Sequence, residues 1–411
     1  MIAAHMIAAD PLVPADLTIS LARERERPVL SPAEFDARTA ALVRGVLDRR
    51  QSFGITRLGS VTRLDRVGLV VTQVVRPLAL SNVVSQGKGL DPMRAAASGL
   101  MEALESWAGE RIEPARLTTR AAIDMPGELR RLYAGSLLHR GDLGWDRIAL
   151  RWIDGWDLFT DRCLPVPAAL VDTAYTYPSP HPVAFPRSTT GLAAAATLHG
   201  AIVHAGLEVL ERAGVAAATH EPHFFDRAQL ASAAIDWPLS GQMLARIGAA
   251  GLIAGIWRVG AEHGLPIYWC HVVENEGTEE VAPLPGEGFG CDFTHDAALA
   301  KALMEACQAR ATAIAGARED ITRRFYPDRH DRSRLDGWRQ QILGNSCHSP
   351  PPEVAAPGSP PEALDRLLRA LESAGARAAL VVPLFHLADP ELHVIRLVVP
   401  PLRHVPAGVA S

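Results

Sequence analysis

The chain has 411 residues, 48% of them hydrophobic and 21% charged, with 33 glycines and 31 prolines. That profile belongs to a folded protein with a substantial core and excludes a disordered or fibrous chain. The formal net charge is −5, with Lys and Arg scattered along the chain, so there is no electrostatic footprint for nucleic acid.

The one dense charge run, Arg23-Glu24-Arg25-Glu26-Arg27, alternates in sign and reads as a solvated helix end. Five widely spaced cysteines, Cys163, Cys270, Cys291, Cys307 and Cys347, form no CxxC pair. They support neither a disulfide framework nor a zinc site, and fit a reducing cytoplasm. The first residues show no basic head followed by an apolar run, which predicts no signal peptide. No apolar stretch approaches the roughly 20 residues that span a bilayer.

In chain order, residues 1–50 read as a polar lead-in and then a helix, capped by Ser31 with Pro32 in its first turn. Val67–Val75 is β-branched and stops at Arg76-Pro77, which predicts a strand. Asp91–Glu110 has helical periodicity, and short strands are expected at Ala149–Trp152 and Cys163–Val166 among Pro-rich loops. A long helix is predicted over Ala193–Ala213, strands at 252–259 and 266–273, and a helix at 296–316. Residues 349–361 are a Pro-rich loop, followed by a helix at 362–374 and strands at 378–384 and 392–399. Helices and strands interspersed in this way predict a mixed α/β (α+β) layered domain.

Three segments share one layout. Ser85-Gln86-Gly87-Lys88-Gly89 precedes a helix with Ser98, Glu102 and Glu105. Ser188-Thr189-Thr190-Gly191 precedes a helix with His204, Glu208, Glu211 and Arg212. Gly286-Glu287-Gly288-Phe289-Gly290 precedes a helix with Glu305, Gln308 and Arg310. Each reads as a glycine turn, a helix, and a Glu followed three positions later by Glu or Gln.

Residues three and four apart share a helix face, so Ser98, Glu102 and Glu105 lie together, opposite Leu100, Leu104 and Trp107. Like charges at that spacing repel, and a hard divalent cation such as Mg²⁺ is the natural compensation. Glycine turns would leave backbone N–H groups open to phosphate, with Lys88 adding a point charge and Arg212 and Arg310 holding further oxygens. One Glu-x2-Glu is ordinarily a solvated face, Glu208 and Arg212 alone an ordinary surface pair, and His204 alone an ordinary helix histidine. Gly87-Lys88-Gly89 is not a Walker A loop. The conjunction of three such segments predicts a Mg–nucleotide site on three helices. A di-iron carboxylate bundle would need Glu-x2-His pairs, and these helices have none.

SQGKGLDPMRAAASGLMEALES, TTGLAAAATLHGAIVHAGLEVLER and GFGCDFTHDAALAKALMEACQARATAIAGARED resemble, in order and spacing, the three nucleotide motifs of YcaO-domain proteins. The resemblance runs from about Gly54 to Leu402. It implies a lead-in at 1–50, a YcaO catalytic domain at 51–402 and a tail at 403–411. Gly54-Ile55-Thr56-Arg57-Leu58, Leu64-Asp65-Arg66-Val67-Gly68, Val75-Arg76-Pro77 and His393–Pro400 are similar to the versions that work beside a TfuA protein.

The resemblance implies a YcaO-type ATP-binding fold, ATP and Mg²⁺ as cofactors, and a peptide or protein substrate. In the family a nucleophile adds to a peptide amide, ATP phosphorylates the former carbonyl oxygen, and phosphate leaves. An azoline results when the nucleophile is a Cys, Ser or Thr side chain, and a thioamide when it is sulfide. Glu102, Glu105, Glu208, Glu211 and Glu305 would surround Mg²⁺ and nucleotide, with Glu208, Glu211 and Arg212 at the chemistry. Lys88, Ser98, Gln308, Arg212 and Arg310 would contact the nucleotide, and Arg76 and Arg318 the substrate side.

Thr190, Ala213-Gly214 and Gln308-Ala309-Arg310 depart from the usual pattern, and none removes a carboxylate. The tail lacks the PxPxP ending of many azoline-forming members, which favours a thioamide synthetase with a TfuA-like partner. The alternatives are a cyclodehydratase acting on a precursor peptide and a non-catalytic scaffold subunit. Family members are commonly dimers, which implies a homodimer.

Overall fold

The computed structural model describes residues 14–27, 30–139, 144–260, 263–278, 281, 285–316, 332–344 and 348–402. Its helices and strands fall into three antiparallel sheets with helices laid across them.

Two helices precede the first strand, α1 (Pro14–Arg25) and α2 (Pro32–Asp48). The sequence predicted α2, whose capping box is complete: Ser31 and Glu34 satisfy each other's backbone N–H groups. Within the lead-in, α1 is an addition, docked through fully buried Leu17.

Strands β1 (Arg57–Ser60), β2 (Val70–Val75) and β3 (Val84–Gly89) form the first sheet, and α3 (Pro92–Gly109) packs back across it. β4 (Thr118–Ala121), α4 (Gly127–Ala134), β5 (Ala149–Asp157) and β6 (Arg162–Pro167) follow. Then come β7 (Leu192–Ala195) and α5 (Leu198–Ala218). The expected helix from Ala193 therefore begins as a strand, because Leu192–Ala195 pairs antiparallel with the last strand of the chain before Thr197 caps the helix.

After the short α6 (Phe224–Arg227) and α7 (Pro238–Ala249), strands β8 (Leu252–Val259), β9 (Ile267–Glu274) and β10 (Gly286–Cys291) make a second sheet. Helix α8 (His295–Ala315) lies across it. The chain then gives α9 (Arg332–Gly344), α10 (Pro360–Ser373) and the hairpin β11 (Leu380–Ala388) and β12 (Glu391–Val398). The third sheet runs β4-β5-β11-β12-β7, with β6 on β5.

Two glycine runs expected to be turns are strands. Gly87 lies in β3 and Gly288 in β10. A Cβ on Gly87 would sit 2.1 Å from the Ala95 carbonyl oxygen and the Gly99 nitrogen. One on Gly288 would sit 2.2 Å from the Ala302 oxygen and the Ala306 nitrogen. The glycines let helix backbone rest directly on strand backbone, and they do not form an anion cradle.

Candidate active site

The three strand–helix units β3–α3, β7–α5 and β10–α8 meet around one cleft of about 1060 Å³, as large as the largest ordinary small-molecule sites. It is lined by Lys88, Ser98, Glu102 and Glu105 from the first unit, and by His204, Glu208, Glu211 and Arg212 from the second. The third gives Glu287, Phe289, Lys301, Glu305, Gln308 and Arg310. Every candidate cofactor and metal residue predicted from the sequence therefore reaches one cavity.

Four of the glutamates are fixed by backbone N–H groups of strands or turns outside their own helix. Glu105 on α3 accepts from Ala194 at 2.7 Å, Glu208 on α5 from Gly191 at 2.9 Å, and Glu211 from Cys291 at 3.1 Å. The Gln86 N–H donates to Glu102 at 3.3 Å. Such bonds fix each carboxylate without neutralising it.

Facing them, Lys88 Nζ lies 3.2 Å from Glu305 Oε2 and donates to Gln308 Oε1 at 3.0 Å. Arg212 lies 3.5 Å from Glu211 and 3.8 Å from Glu305, with its guanidinium 5.4 Å from the Phe289 ring centre. Ser98 Oγ accepts the Lys88 N–H at 3.4 Å.

The electrostatics follow from crowding like charges out of water. Burial, with Glu102 and Glu208 beside it, pushes the Glu105 carboxyl well above the usual carboxylate range, against the Ala194 hydrogen bond. Burial also raises Glu208, although Arg212 and the Gly191 N–H oppose it. Burial and then Glu305 push Glu211 up to about 7. Arg212 is held above its ordinary value: burial works against its charge, and Glu211, Glu305 and Glu208 outweigh that.

These residues fit a magnesium nucleotide. The anchored glutamates hold more negative charge than Lys88 and Arg212 offset, as their raised pKa values record, and a divalent cation with oxygen ligands relieves that excess. Glu102, Glu105, Glu208, Glu211 and Glu305 would hold the metal, with Lys88, Arg212 and Gln308 beside the phosphates.

Two arginines differ from the sequence reading. Arg310 lines the cleft, but its guanidinium pairs with Asp65 at 3.2 Å and Glu274 at 3.0 Å, and its side chain is fully buried. It braces the cleft wall, with Nη1 lacking a hydrogen-bond partner among the described residues. Arg76 is 3% exposed, donating to the Ala103 carbonyl and paired with Glu110, so it holds β2's end to α3 and does not face a substrate. Arg318 lies outside the described residues.

Other residues in or behind the cleft were not assigned a role from the sequence. His204 faces the cavity one turn before Glu208 with its side chain open to it, and desolvation, with Lys301 and Lys88 nearby, lowers its pKa to about 4. Lys301, four residues before Glu305 and so on the same face, pairs with Asp292 at 2.6 Å. Glu287 and Phe289 alternate with glycines in β10, a period-two signal hidden by the expectation of a turn. Arg396 is buried under the Ser188–Gly191 turn, donating to Ser188 O at 2.8 Å, and burial lowers its pKa to about 10.

Comparison with known proteins decides the family. A family model described as YcaO cyclodehydratase, ATP- and Mg²⁺-binding, matches residues 86–403. The chain belongs to the YcaO family. It is 30% identical over 378 residues to a protein in the tfuA 3′ region of Rhizobium leguminosarum bv. trifolii, covering 89% of this chain and 87% of that one. It is 35% identical over 281 residues to a Mycobacterium tuberculosis protein, covering 66% of this chain and spanning 60% of that relative's length.

The fold matches solved YcaO structures. YcaO from Methanopyrus kandleri bound with AMPPCP and Mg²⁺ superposes with a TM-score of 0.63 at 20% identity, over 87% of this chain and 89% of that one. A heterocyclase in complex with substrate and cofactor gives 0.65 at 18% identity, over 95% of this chain and 56% of that one. ATP and Mg²⁺ are thus the cofactors of this YcaO domain. No described helix is long and apolar enough to cross a membrane.

Proposed function

We propose that this protein activates a peptide backbone amide by ATP-dependent phosphorylation of the amide oxygen and delivers a thioamide, with sulfide as sulfur source and a TfuA-like protein as partner. The observation that carries the reading is the set of five glutamates on α3, α5 and α8, four of them held by backbone N–H groups and all facing Lys88 and Arg212 in one cleft. MgATP supplies the phosphoryl group that turns a poor leaving oxygen into a good one.

The chain's own contribution is positioning and charge. Glu102, Glu105, Glu208, Glu211 and Glu305 hold the metal, while Lys88, Ser98 and Gln308 locate the nucleotide. Arg212, close to Glu211, stabilises charge that develops on the transferred group. A scaffold subunit has no use for clustered, desolvated carboxylates that cost stability. The Rhizobium relative's place in the tfuA 3′ region supports the TfuA-like partner, and with it sulfide as nucleophile. The family description, YcaO cyclodehydratase, supports a second reading in which a Cys, Ser or Thr side chain attacks and an azoline forms.

The test incubates purified protein and its TfuA-like partner with MgATP, sulfide and a pool of capped tetrapeptides. Exchange of oxygen for sulfur supports thioamidation, loss of water supports cyclodehydration, and ATP turnover that ignores peptide contradicts both.

A further inference from the structure

Among the described residues six carboxylates line the cleft, and five of them form the cage assigned to the metal. The sixth, Glu287, is built differently. It sits on β10, not on one of the three helices. Gly286, Gly288 and Gly290 turn one face of that strand onto α8, so Glu287 and Phe289 project from the other.

Residue pairing across the sheet sets what Glu287 meets. It lies directly opposite His271 on β9, as Phe289 lies opposite Trp269, so both pairs share one face. Glu287 Oε1 accepts the Trp269 indole N–H at 2.9 Å and lies 3.2 Å from His271 Nε2. His271 is 4% exposed and walled by Trp257, Trp338 and Phe225, with ring centres 5.1, 4.3 and 5.8 Å away. Its Nδ1 is buried without a hydrogen-bond partner among the described residues. The Glu287 side chain itself is 48% exposed. A carboxylate open to the cleft, with its back oxygen gripped by a rigid indole and a caged imidazole, is oriented as general bases are.

The geometry points to Glu287 as the proton acceptor for the nucleophile in amide activation, with His271 and Trp269 as its positioning residues. This assignment rests on the amide-activating reading above. Conversion of an amide to a thioamide must remove the S–H proton of the attacking sulfhydryl. In the phosphorylated tetrahedral adduct the C–O bond breaks and its electron pair leaves with phosphate. The S–H bonding pair becomes the π bond of C=S, and the proton passes to Glu287. The five caged glutamates are committed to the metal and cannot take it without releasing their ligand. Arg212, within electrostatic reach of Glu287 and over Phe289, puts the acceptor beside the group that handles the phosphate.

The experiment compares wild type, Glu287→Gln, Glu287→Ala and His271→Gln with MgATP, sulfide and the capped tetrapeptide pool, reading sulfur incorporation by mass spectrometry and MgATP binding by thermal shift. Glu287→Gln is expected to lose about 100-fold in kcat while its MgATP-induced shift equals that of wild type. Formate should restore turnover to Glu287→Ala in proportion to its concentration, a rescue that a purely structural role does not give. His271→Gln should lose about tenfold in kcat with KM unchanged, as for a group acting through another. Turnover of Glu287→Gln within threefold of wild type, loss of its MgATP shift, or absence of formate rescue overturns the assignment alone. A wild-type enzyme that modifies no peptide in the pool overturns the amide-activating reading and the assignment with it.

Discussion

Glu105, on helix α3, accepts the backbone N–H of Ala194 at 2.7 Å, and Ala194 belongs to the strand that leads into helix α5. One hydrogen bond thus ties the carboxylate of the first motif to the backbone of the second. The Gly191 N–H on Glu208 and the Cys291 N–H on Glu211 do the same between turn and helix and between second and third motifs. Two of these bonds cross between units, Ala194 to Glu105 and Cys291 to Glu211, and two stay within one, Gly191 to Glu208 and Gln86 to Glu102.

These carboxylates are buried for function and against stability. Glu105→Gln removes a desolvated like charge and keeps the shape, so the ligand-free protein should melt a few degrees higher at about pH 8. The same variant should lose most of the Mg²⁺-dependent rise in Tm given by ATP. A lower Tm without ligand, or an unchanged ATP response, contradicts the assignment of Glu105.

A pH dependence follows with definite sign. Burial, with Glu305 second, raises the Glu211 carboxyl from 4.5 to about 7, so between those values the folded state holds a proton that the unfolded chain has released. Stability of the ligand-free protein therefore falls as pH rises through that window, and Glu105 and Glu208, also raised, add to the trend. Mg²⁺ needs the deprotonated carboxylates, so its affinity rises over the same window and levels off above about pH 7. Tm against pH should fall through that window for the ligand-free protein and stay nearly flat with saturating Mg²⁺ and ATP, so that the ligand-induced shift widens as pH rises.

Close strand–helix packing gives a paired test. Gly288→Ala puts a methyl carbon 2.2 Å from backbone atoms of Ala302 and Ala306, which cannot turn aside. We expect a loss of about 3 kcal/mol or more, displacement of Glu305, and weakened MgATP binding. Gly248→Ala, in α7 with nothing within 4 Å, should instead stabilise by about 0.5–1 kcal/mol. Urea denaturation of both variants checks the contrast.

Arg76→Ala takes the buried guanidinium from Glu110 and leaves it Arg111 at 3.1 Å and the Ser81 N–H, a change expected to cost about 1.5–3 kcal/mol. The enzyme that remains folded at low temperature should keep its substrate KM, because Arg76 is walled off from the cleft. A raised KM with unchanged stability would return Arg76 to the substrate side.

Much of this architecture was legible in the sequence. Helical spacing placed Ser98, Glu102 and Glu105 on one face of α3, and Ser31 with Pro32 marked the start of α2 before any fold was known. The glycine-rich runs misled because period-two alternation with glycine lacks the apolar stripe that identifies a strand. The same blind spot hid Glu287, whose partners His271 and Trp269 lie on another strand. Arg310 and Arg76 looked like ligands because charge is visible in a sequence and burial is not. Their acidic partners, Asp65, Glu274 and Glu110, are distant in the chain or point inward for reasons only packing reveals. Ala193–Ala195 read as helix because alanine favours it, and pairing with β12 overrode the propensity.

The most direct test of the central claim follows the amide oxygen. A peptide from the pool that the enzyme modifies is synthesised with oxygen-18 at the reacting carbonyl and incubated with unlabelled MgATP and sulfide. One labelled oxygen is expected in the inorganic phosphate for every thioamide formed, because the carbonyl oxygen leaves bound to phosphorus. Unlabelled phosphate beside a converted peptide would show that the oxygen departs by another route, and the role assigned to the glutamate cage and Arg212 would be wrong.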